Sequence, residues 1–349
     1  MLINDKPILF GKTLEELQAV VVELGMPKFT AGQVADWLYK KRIDSIDEMS
    51  NLSKEAREKL KGAFDFGTTK PIKVQVSADG TKKYLFPAAG NKFIETAFIP
   101  EETRNTLCVS SQVGCKMACK FCMTGKQGFQ TNLSAAEILN QLRSIPESEQ
   151  VINIVFMGMG EPFDNIDNVL KTLKILTADY GFAMSPKRIN VSSIGYISGL
   201  KRFLTESDCH LAISLHNPFH EERLRAMPIE KTNPLSEVLK EIKAHDFGKT
   251  RRVSFEYIMF KGFNDSPKHV KELARILNGI NCRINLIRFH PVPEVELVGS
   301  DDETIFEFQN QLKAKGIVTT LRASRGLDIA AACGLLSTKE LLVKKEESN

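Results

Sequence analysis

The sequence lacks the features of an exported or membrane-bound protein. No apolar run approaches the roughly 18 consecutive residues that a membrane span requires. Residues 1–6 also lack the charged and then apolar pattern with which a signal peptide begins. We therefore expect a cytoplasmic protein that has no membrane partner.

A large charge imbalance and a disulfide framework are missing as well. The net charge is +4, from 47 Lys and Arg against 43 Asp and Glu, and so small an excess permits a nucleic-acid partner without arguing for one. The odd count of seven cysteines argues against paired disulfides in a reducing compartment. Cysteines in that setting more often bind a metal, take part in chemistry or fill the core.

What is present is enough chain for two domains. A length of 349 residues with 42% hydrophobic residues fits one large α/β domain and one smaller domain. Residues 14–24 carry apolar side chains at helical spacing, and Gly25 is typical of the position just past a helix end. We expect a small helical unit over residues 1–75. The basic run at residues 40–42 fits a solvated helix end as well as it fits an RNA contact.

The pattern of the sequence changes after that unit. Residues 83–86 and 93–98 are typical of two strands joined by a turn at residues 89–91. From residue 106 onward, strand-like runs alternate with helical patterns. The strand-like runs lie near residues 107–109, 152–156, 189–191, 211–213, 253–259, 284–287 and 318–321, and the helical patterns include 135–142, 169–176, 235–244 and 269–277. This alternation predicts an α/β fold with a parallel sheet, open or closed.

Three cysteines stand close together after the first of these strands. Cys115, Cys119 and Cys122 have the spacing C-x3-C-x2-C, so one short loop can wrap three thiolates around a metal centre. A cluster of four irons held by three cysteines keeps one iron open for a substrate. A structural zinc site is the weaker alternative because it normally has four ligands, and no further Cys or His stands close by.

Together with this spacing, four sequence blocks resemble a known family. They are residues 107–115 (LCVSSQVGC), 157–162 (MGMGEP), 214–216 (SLH) and 331–334 (AACG). Their order and spacing resemble those of the RlmN/Cfr family of RNA adenine methyltransferases, which belongs to the radical S-adenosylmethionine (SAM) superfamily. The resemblance extends from the N-terminal helices to near residue 337.

The resemblance implies a fold and a domain arrangement. The fold would be a partial (β/α)6-type radical SAM barrel with a small N-terminal helical domain and a short β extension. Residues 1–75 would form an accessory domain that binds RNA. Residues 76–337 would form the radical SAM core, with the β extension and a catalytic C-terminal loop, and residues 338–349 would be a charged tail.

The resemblance also assigns roles in catalysis. The three clustered cysteines would hold a 4Fe-4S cluster. Cys333 would first be methylated by one SAM, and a second SAM would yield the radical that takes a hydrogen from this S-methyl group. Cys108 would release the resulting protein–RNA adduct through a transient disulfide with Cys333, and Glu95 would accept a proton. Thiol attack on sulfur is a facile exchange, which suits the release step.

A set of residues at predicted strand ends would contact SAM by the same resemblance. They are Gly160, Glu161, Ser192, Ser214, Leu215, His216 and His290. Taken alone, each of these is an ordinary turn or strand-end residue. His290 departs from the family pattern, which usually has Asn there; a neutral imidazole can both donate and accept, as an amide does, so we expect the contact to persist.

The implied substrates are RNAs. The resemblance implies methylation at C2 of adenine 2503 in 23S rRNA and of adenine 37 in some tRNAs, with a reducing electron donor such as flavodoxin or ferredoxin. We expect a monomer. Two groups of basic residues could contact RNA phosphates or be solvated loops: Lys116, Lys120 and Lys126 near the cysteines, and Lys249, Arg251 and Arg252.

Two alternatives stay open at this point. A Cfr-type enzyme would methylate C8 of the same rRNA adenine, although residues 324–328 look more like the C2-methylating branch. An iron–sulfur RNA-binding or sensor protein without catalysis would need the cluster alone. The joint presence of Cys108, Cys333 and the Gly160–Glu161 pair argues against such a protein.

Overall fold

The computed structural model describes residues 6–248 and 250–338. Of the features predicted above, residues 1–5, Lys249 and the tail from residue 339 lie outside the described residues.

The N-terminal part folds as the predicted helical unit. Its helices are α1 (Leu14–Glu23), α2 (Thr30–Ala35) and α3 (Lys54–Ala63). At the start of α1, the Thr13 hydroxyl accepts from the Glu16 amide, and the Glu16 carboxylate accepts from the Thr13 amide at 2.7 Å. Gly25 follows the helix with a φ of 69°, as the sequence predicts. The polar first turn and the apolar face together explain why the helix forms here.

Within the described residues, ten strands form one mixed sheet, and two more form a small separate ladder. The sheet contains β1 (Lys73–Val76), β2 (Lys82–Ala88), β3 (Lys92–Ile99), β4 (Thr106–Cys108), β7 (Asn153–Phe156), β8 (Ile189–Ser193), β9 (His210–Ser214), β10 (Val253–Met259), β11 (Cys282–Arg288) and β12 (Val318–Leu321), in that spatial order, and β5 (Gln112–Val113) pairs with β6 (Thr131–Asn132). Strands β1 to β4 are antiparallel neighbours, which form the expected β extension. From β4 to β12 every neighbouring pair is parallel.

Helices connect the parallel strands. They are α4 (Met123–Gln127), α5 (Ala135–Arg143), α6 (Ile166–Thr177), α7 (Ile197–Glu206), α8 (His220–Ala226), α9 (Leu235–Ala244), α10 (Pro267–Ile276) and α11 (Asp302–Ala314). The predicted α/β alternation and parallel sheet are confirmed, and the bounds of β10, β12 and α9 agree at both ends. The parallel part has seven strands, one more than a six-stranded barrel. The predicted boundary at residue 75 falls inside β1.

Strand β10, in the interior of the parallel part, is buried on both faces. All seven residues of β10 are buried, as expected for a parallel strand covered by helices on one side and enclosing a lumen on the other. Since the strands are parallel, their carboxyl ends lie at one rim of the sheet, where folds of this type place ligands. Among the described residues, none of the helices is long and apolar enough to cross a membrane.

Candidate active site

The three clustered cysteines lie on the loop between β5 and α4, at the carboxyl rim. Cys115, Cys119 and Cys122 line one cavity of about 160 Å3, which Cys333 also lines. They pack beside an apolar cluster that includes Phe121. Burial raises the pKa of Cys115 to about 12 and raises that of Cys119 well above its ordinary value. Thiols in such surroundings become thiolates only when a metal supplies the compensating charge.

The donor set fits an iron–sulfur cluster. In the described part of the chain, no three Cys, His, Asp or Glu side chains converge closely enough to hold a single metal ion. A cluster distributes its ligands over several irons, and cysteine thiols are the ligands that such clusters take. The three cysteines on one loop, facing one cavity, therefore suit a cluster better than a zinc ion.

Gly160 lies just after β7 and lines the same cavity. Its φ is 97°, and a Cβ placed there would lie 2.7 Å from the backbone nitrogen of Gln112. The Gln112 side chain in turn accepts from the Glu161 amide at 2.8 Å. Only glycine therefore allows this turn to lie against the strand that leads to the cysteine loop.

Glu161 joins two strand ends. Its carboxylate accepts from the Phe163 amide at 3.0 Å and from the Ile194 amide at 2.9 Å, so it connects the segment after β7 to the segment after β8. Burial raises its pKa to about 7, although these hydrogen bonds oppose the shift. A buried carboxylate at this rim can accept from an ammonium group while it holds the two segments together.

Of the other five predicted SAM contacts, three line the cavity and two do not. Ser192, Ser214 and His216 lie on it. Leu215 does not, because alternate residues of an extended segment point to opposite sides, and its side chain is 0% exposed in the core. His290 lies on a second cavity, on the far side of Cys333.

His216 is held by the backbone. It has a φ of 54°, and its Nδ1 accepts from the Ile258 amide at 3.0 Å. Burial lowers its pKa to about 3, so the ring is neutral at physiological pH. Asn264, which sequence reasoning missed, donates to the His216 carbonyl at 2.6 Å and is fully buried. This side-chain amide stabilises the unusual backbone of His216.

Arg223 is a second missed residue. Its guanidinium is fully buried and pairs with Glu230. It also donates to the carbonyls of Ile194, Ser214 and Leu215, at 2.9 to 3.0 Å. The carbonyls belong to the ends of β8 and β9, so one cation ties together two strand ends that form the cavity. Buried arginine with this many acceptors is a positioning group, and no local motif in the sequence reveals it.

The structure brings Cys108 and the segment that carries Cys333 together. Cys108 is buried on β4 and packs with Ala97 and Ala331, and Cys333 is exposed. Burial raises the pKa of Cys108 to about 12; nearby Cys333 adds to the shift and Arg322 reduces it. The two thiols therefore lie within electrostatic reach of each other, as their predicted pairing requires.

The segment with Cys333 is also tied to the cysteine loop. The amide of Met123, next to Cys122, donates to the carbonyl of Gly334 at 2.8 Å. The Thr124 hydroxyl donates to the Leu336 carbonyl at 2.7 Å. The loop that would hold the cluster and the loop that carries Cys333 are thus connected through the first turn of α4.

Glu95 lies at the other side of this segment. Its carboxylate forms an ion pair with Lys83 at 2.9 Å and accepts from the Ser337 amide at 3.0 Å. Lys83 also contacts the Ala330 carbonyl at 3.5 Å. The side chains of Lys83 and Glu95 are 9% and 10% exposed. The predicted proton acceptor is therefore engaged with the loop that carries Cys333, and it is not among the residues that line either cavity.

Arg322 marks the place where the two cavities meet. It follows β12, lines both cavities and forms an ion pair with Glu256 at 3.2 Å. Burial opposes the charged form of Arg322, but Glu256 and the two cysteines outweigh it and raise its pKa. Sequence reasoning missed this arginine, which adds a fixed positive charge beside Cys108 and Cys333.

The predicted basic groups are only partly available to a partner. Lys116 pairs with Asp164 at 3.0 Å, and Lys126 donates to the carbonyl of Pro293. The Arg251 guanidinium donates to backbone carbonyls, including that of Cys209 at 2.9 Å, so its donors are engaged within the protein. Lys120 and Arg252 are exposed.

Family models match two parts of the chain. Residues 109–275 match the radical SAM superfamily. Residues 8–65 match the N-terminal domain of ribosomal RNA large subunit methyltransferases.

Relatives and a solved structure match nearly the whole chain. A protein of Phocaeicola vulgatus named probable dual-specificity RNA methyltransferase RlmN is 57% identical over 333 residues, which is 95% of each chain. A protein of Bacillus thuringiensis with the same name is 42% identical over 98% of this chain and 96% of its own. The crystal structure of a radical SAM methyltransferase from Sphaerobacter thermophilus has a TM-score of 0.88 at 36% identity, and covers 95% of this chain and 99% of its own.

Proposed function

The chain belongs to the RlmN family of radical SAM RNA methyltransferases, and from that premise we propose that it methylates C2 of adenine 2503 in 23S rRNA and of adenine 37 in some tRNAs. The observation that carries the proposal is the position of Cys333. This residue lines both the cavity of the three clustered cysteines and the cavity of Cys108. A sensor protein would need no second pair of thiols at that junction.

Cys115, Cys119 and Cys122 would hold the 4Fe-4S cluster that the superfamily uses, and Gly160, Glu161, Ser192 and Ser214 would contact SAM. When bound, the cluster and SAM supply a methyl group and a 5′-deoxyadenosyl radical. Glu161 would accept from the ammonium group of SAM. The buried surroundings would keep water away from the reactive species.

Cys333 would carry the methyl group to the base. Cys333 is exposed and lines both cavities, so its thiol can be methylated on sulfur. After loss of one hydrogen, the carbon on sulfur would bond to C2 of the adenine, which is too poor a nucleophile to take a methyl group from SAM directly. The contacts of Gly334 and Leu336 with α4 would keep this sulfur near the cysteine loop.

The adduct formed in this way still carries one unpaired electron, which has to leave to a one-electron acceptor, and Glu95 would accept the proton that leaves the adenine carbon. In the structure its carboxylate accepts from the Ser337 amide and pairs with Lys83. This role therefore requires the segment that carries Cys333 to shift when RNA binds, so that the carboxylate meets the base.

Cys108 would release the product. Its thiolate attacks the sulfur of Cys333, the bond between that sulfur and the added carbon breaks, and the electron pair stays on the carbon, which takes a proton and becomes the product methyl group. A disulfide between Cys108 and Cys333 forms, and an external thiol must reduce it before the next turnover. The Arg322 guanidinium would favour the attacking thiolate, whose pKa burial raises.

Nucleoside mass spectrometry tests the proposal directly. Protein reconstituted with iron and sulfide under anaerobic conditions would receive SAM, a reductant and an unmodified 23S rRNA fragment. We expect 2-methyladenosine. A product of 8-methyladenosine would keep the mechanism and change the position. Cleavage of SAM without any methylated adenosine would show that RNA is the wrong substrate.

A further inference from the structure

The second cavity opens at the amino ends of the parallel strands. It has a volume of about 580 Å3, against about 160 Å3 for the cavity of the cysteine loop. Residues at strand starts line it, among them Thr106 of β4, Asn153 of β7 and His210 of β9. The cysteine loop lies at the opposite, carboxyl ends. The lumen therefore has a wide opening on the side away from the three clustered cysteines.

Seven Lys and Arg residues line this cavity. Five of them stand at or near the starts of strands, and we refer to these five as the basic mouth. They are Arg104, Lys187, Arg188, Arg252 and Arg283. Four of them are exposed, and Arg283 is half-buried. His210 lies among these cations: its Nδ1 accepts from the Arg252 amide at 3.1 Å. Burial lowers the pKa of His210, and Arg252, Arg251, Arg283 and Lys187 lower it further.

Only one of the five cations of the basic mouth has an acidic partner in the described part of the chain. Arg104 pairs with Glu101 at 3.0 Å. Within residues 6–248 and 250–338, Lys187, Arg188, Arg252 and Arg283 form no ion pair. Like charges held together at one opening repel each other and are destabilising unless an anionic partner binds them. Near the cysteine loop, Lys116 and Lys126 both have protein partners, and the contrast favours an external anion at this mouth.

The basic mouth leads to the two thiols that would handle the base. Cys108 lines its cavity, and Cys333, Glu256 and Arg322 line both cavities. A nucleotide that enters from the mouth would meet Cys333 from the side opposite the clustered cysteines. A target base in a folded RNA has to leave its stack to be modified, and its neighbouring phosphates then need a positive surface.

We propose that the basic mouth binds the backbone phosphates next to the extruded adenine, so that RNA enters the lumen at the amino ends of the strands while SAM occupies the carboxyl end. This inference rests on the proposed function. An acidic electron-donor protein would also fit a positive surface, but it would have to approach the cysteine loop, and the basic mouth lies at the other end of the strands. The position therefore favours RNA.

A triple substitution tests the inference. Arg188→Gln, Arg252→Gln and Arg283→Gln would be combined in the reconstituted holoenzyme. We expect the dissociation constant for an unmodified 23S rRNA fragment to rise on the order of tenfold or more, and the slope of log K against log salt to fall by about 2 to 3, which is the loss of about three phosphate contacts. Equal iron content and melting temperature would show that the variant is folded.

A matched control removes three charges elsewhere. Lys240→Gln, Lys271→Gln and Lys313→Gln change exposed residues of α9, α10 and α11 that do not line the cavity. We expect this control to leave the RNA affinity and its salt slope unchanged. If the mouth variant matched the control in both quantities, the inference would be wrong.

Three outcomes separate this inference from others. If the mouth variant bound RNA normally but accepted electrons slowly from flavodoxin, with recovery on dithionite, the mouth would be a donor-docking surface and the inference would be overturned. Failure of the wild-type protein to methylate any RNA would overturn the proposed function instead. If the wild-type protein methylated RNA and the mouth variant bound RNA with normal affinity, the inference would be overturned and the proposed function would stand.

Discussion

The ion pair between Lys83 and Glu95 predicts a large loss of stability when its cation is removed. The two side chains lie 2.9 Å apart and are only 9% and 10% exposed, so water does not screen the pair. Lys83→Met leaves a buried carboxylate that has lost its counter-charge. Breaking a buried pair in this way costs about 3–5 kcal/mol. We expect the free energy of unfolding to fall by that amount.

The comparison that isolates this effect is a double-mutant cycle in urea. Glu95→Gln alone should cost a similar amount because it leaves the lysine ammonium buried, whereas the double variant should be more stable than the sum of the two losses by about 2 kcal/mol or more. The control is Lys59→Met. Lys59 and Glu55 are also 2.9 Å apart but are 39% and 77% exposed, so this substitution should change stability by less than about 1 kcal/mol.

The same substitution should loosen the segment that carries Cys333. The Glu95 carboxylate accepts from the Ser337 amide, so hydrogen exchange at that amide should become faster in Lys83→Met and in Glu95→Gln, and stay unchanged in Lys59→Met. The reasoning that burial makes this pair strong would be refuted by either of two results. The stability losses of the two single variants could add up in the double variant, or Lys83→Met could cost no more stability than Lys59→Met.

Three further predictions concern single residues of the site. Cys333→Ala should abolish methyl transfer to RNA in the nucleoside assay and leave the iron content unchanged; normal transfer would remove this thiol from the mechanism. Cys108→Ala should accumulate a covalent protein–RNA adduct on a denaturing gel, and free methylated product in wild-type amounts would contradict its role. Since burial raises the pKa of Glu161 to about 7, from 4.5, its contribution to the stability of the metal-free chain is complete below pH 4.5 and is lost as the pH rises to about 7. That loss is about 3 kcal/mol. The free energy of unfolding of Glu161→Gln, measured across the same pH range, should not show this decrease.

Much of the fold could be predicted because apolar residues dominate the parallel strands. In Val253–Met259 five of the seven residues are apolar, with Ser254 and Glu256 between them, and this pattern depends on no distant partner. The edge strand Lys73–Val76 escaped prediction. Three of its four residues are exposed, and its position depends on the register with β2, in which Lys73 lies opposite Leu85. Pairing of that kind leaves little trace in local composition.

The site was predictable where its chemistry is local in sequence. Three cysteines within eight residues indicate a metal centre without any knowledge of the fold. The buried pair of Lys83 with Glu95 and the partly buried pair of Arg322 with Glu256 could not be found in this way. In the first, Lys83 lies opposite Ala97 and Glu95 lies opposite Leu85, so the ion pair is a diagonal contact across two strands. The alternation of residues along each strand predicts which face of the sheet Lys83 and Glu95 lie on, but it does not predict that they pair with each other.

The attachment of the segment that carries Cys333 explains how one sulfur can serve two sides of the lumen. On its amino side, Gly326 donates to the Asp79 carboxylate at 2.9 Å, in the turn between β1 and β2. On its carboxyl side, Ser337 donates to Glu95 and Leu336 accepts from Thr124. Cys333 lies between these anchors and is exposed. Side-chain rotation and small shifts between fixed ends are enough to turn a thiol from one cavity to the other, whereas a cysteine within a strand could face only one of them. The proposed chemistry needs the sulfur to meet SAM first and the RNA base afterwards, and an exposed loop position anchored on both sides satisfies both requirements.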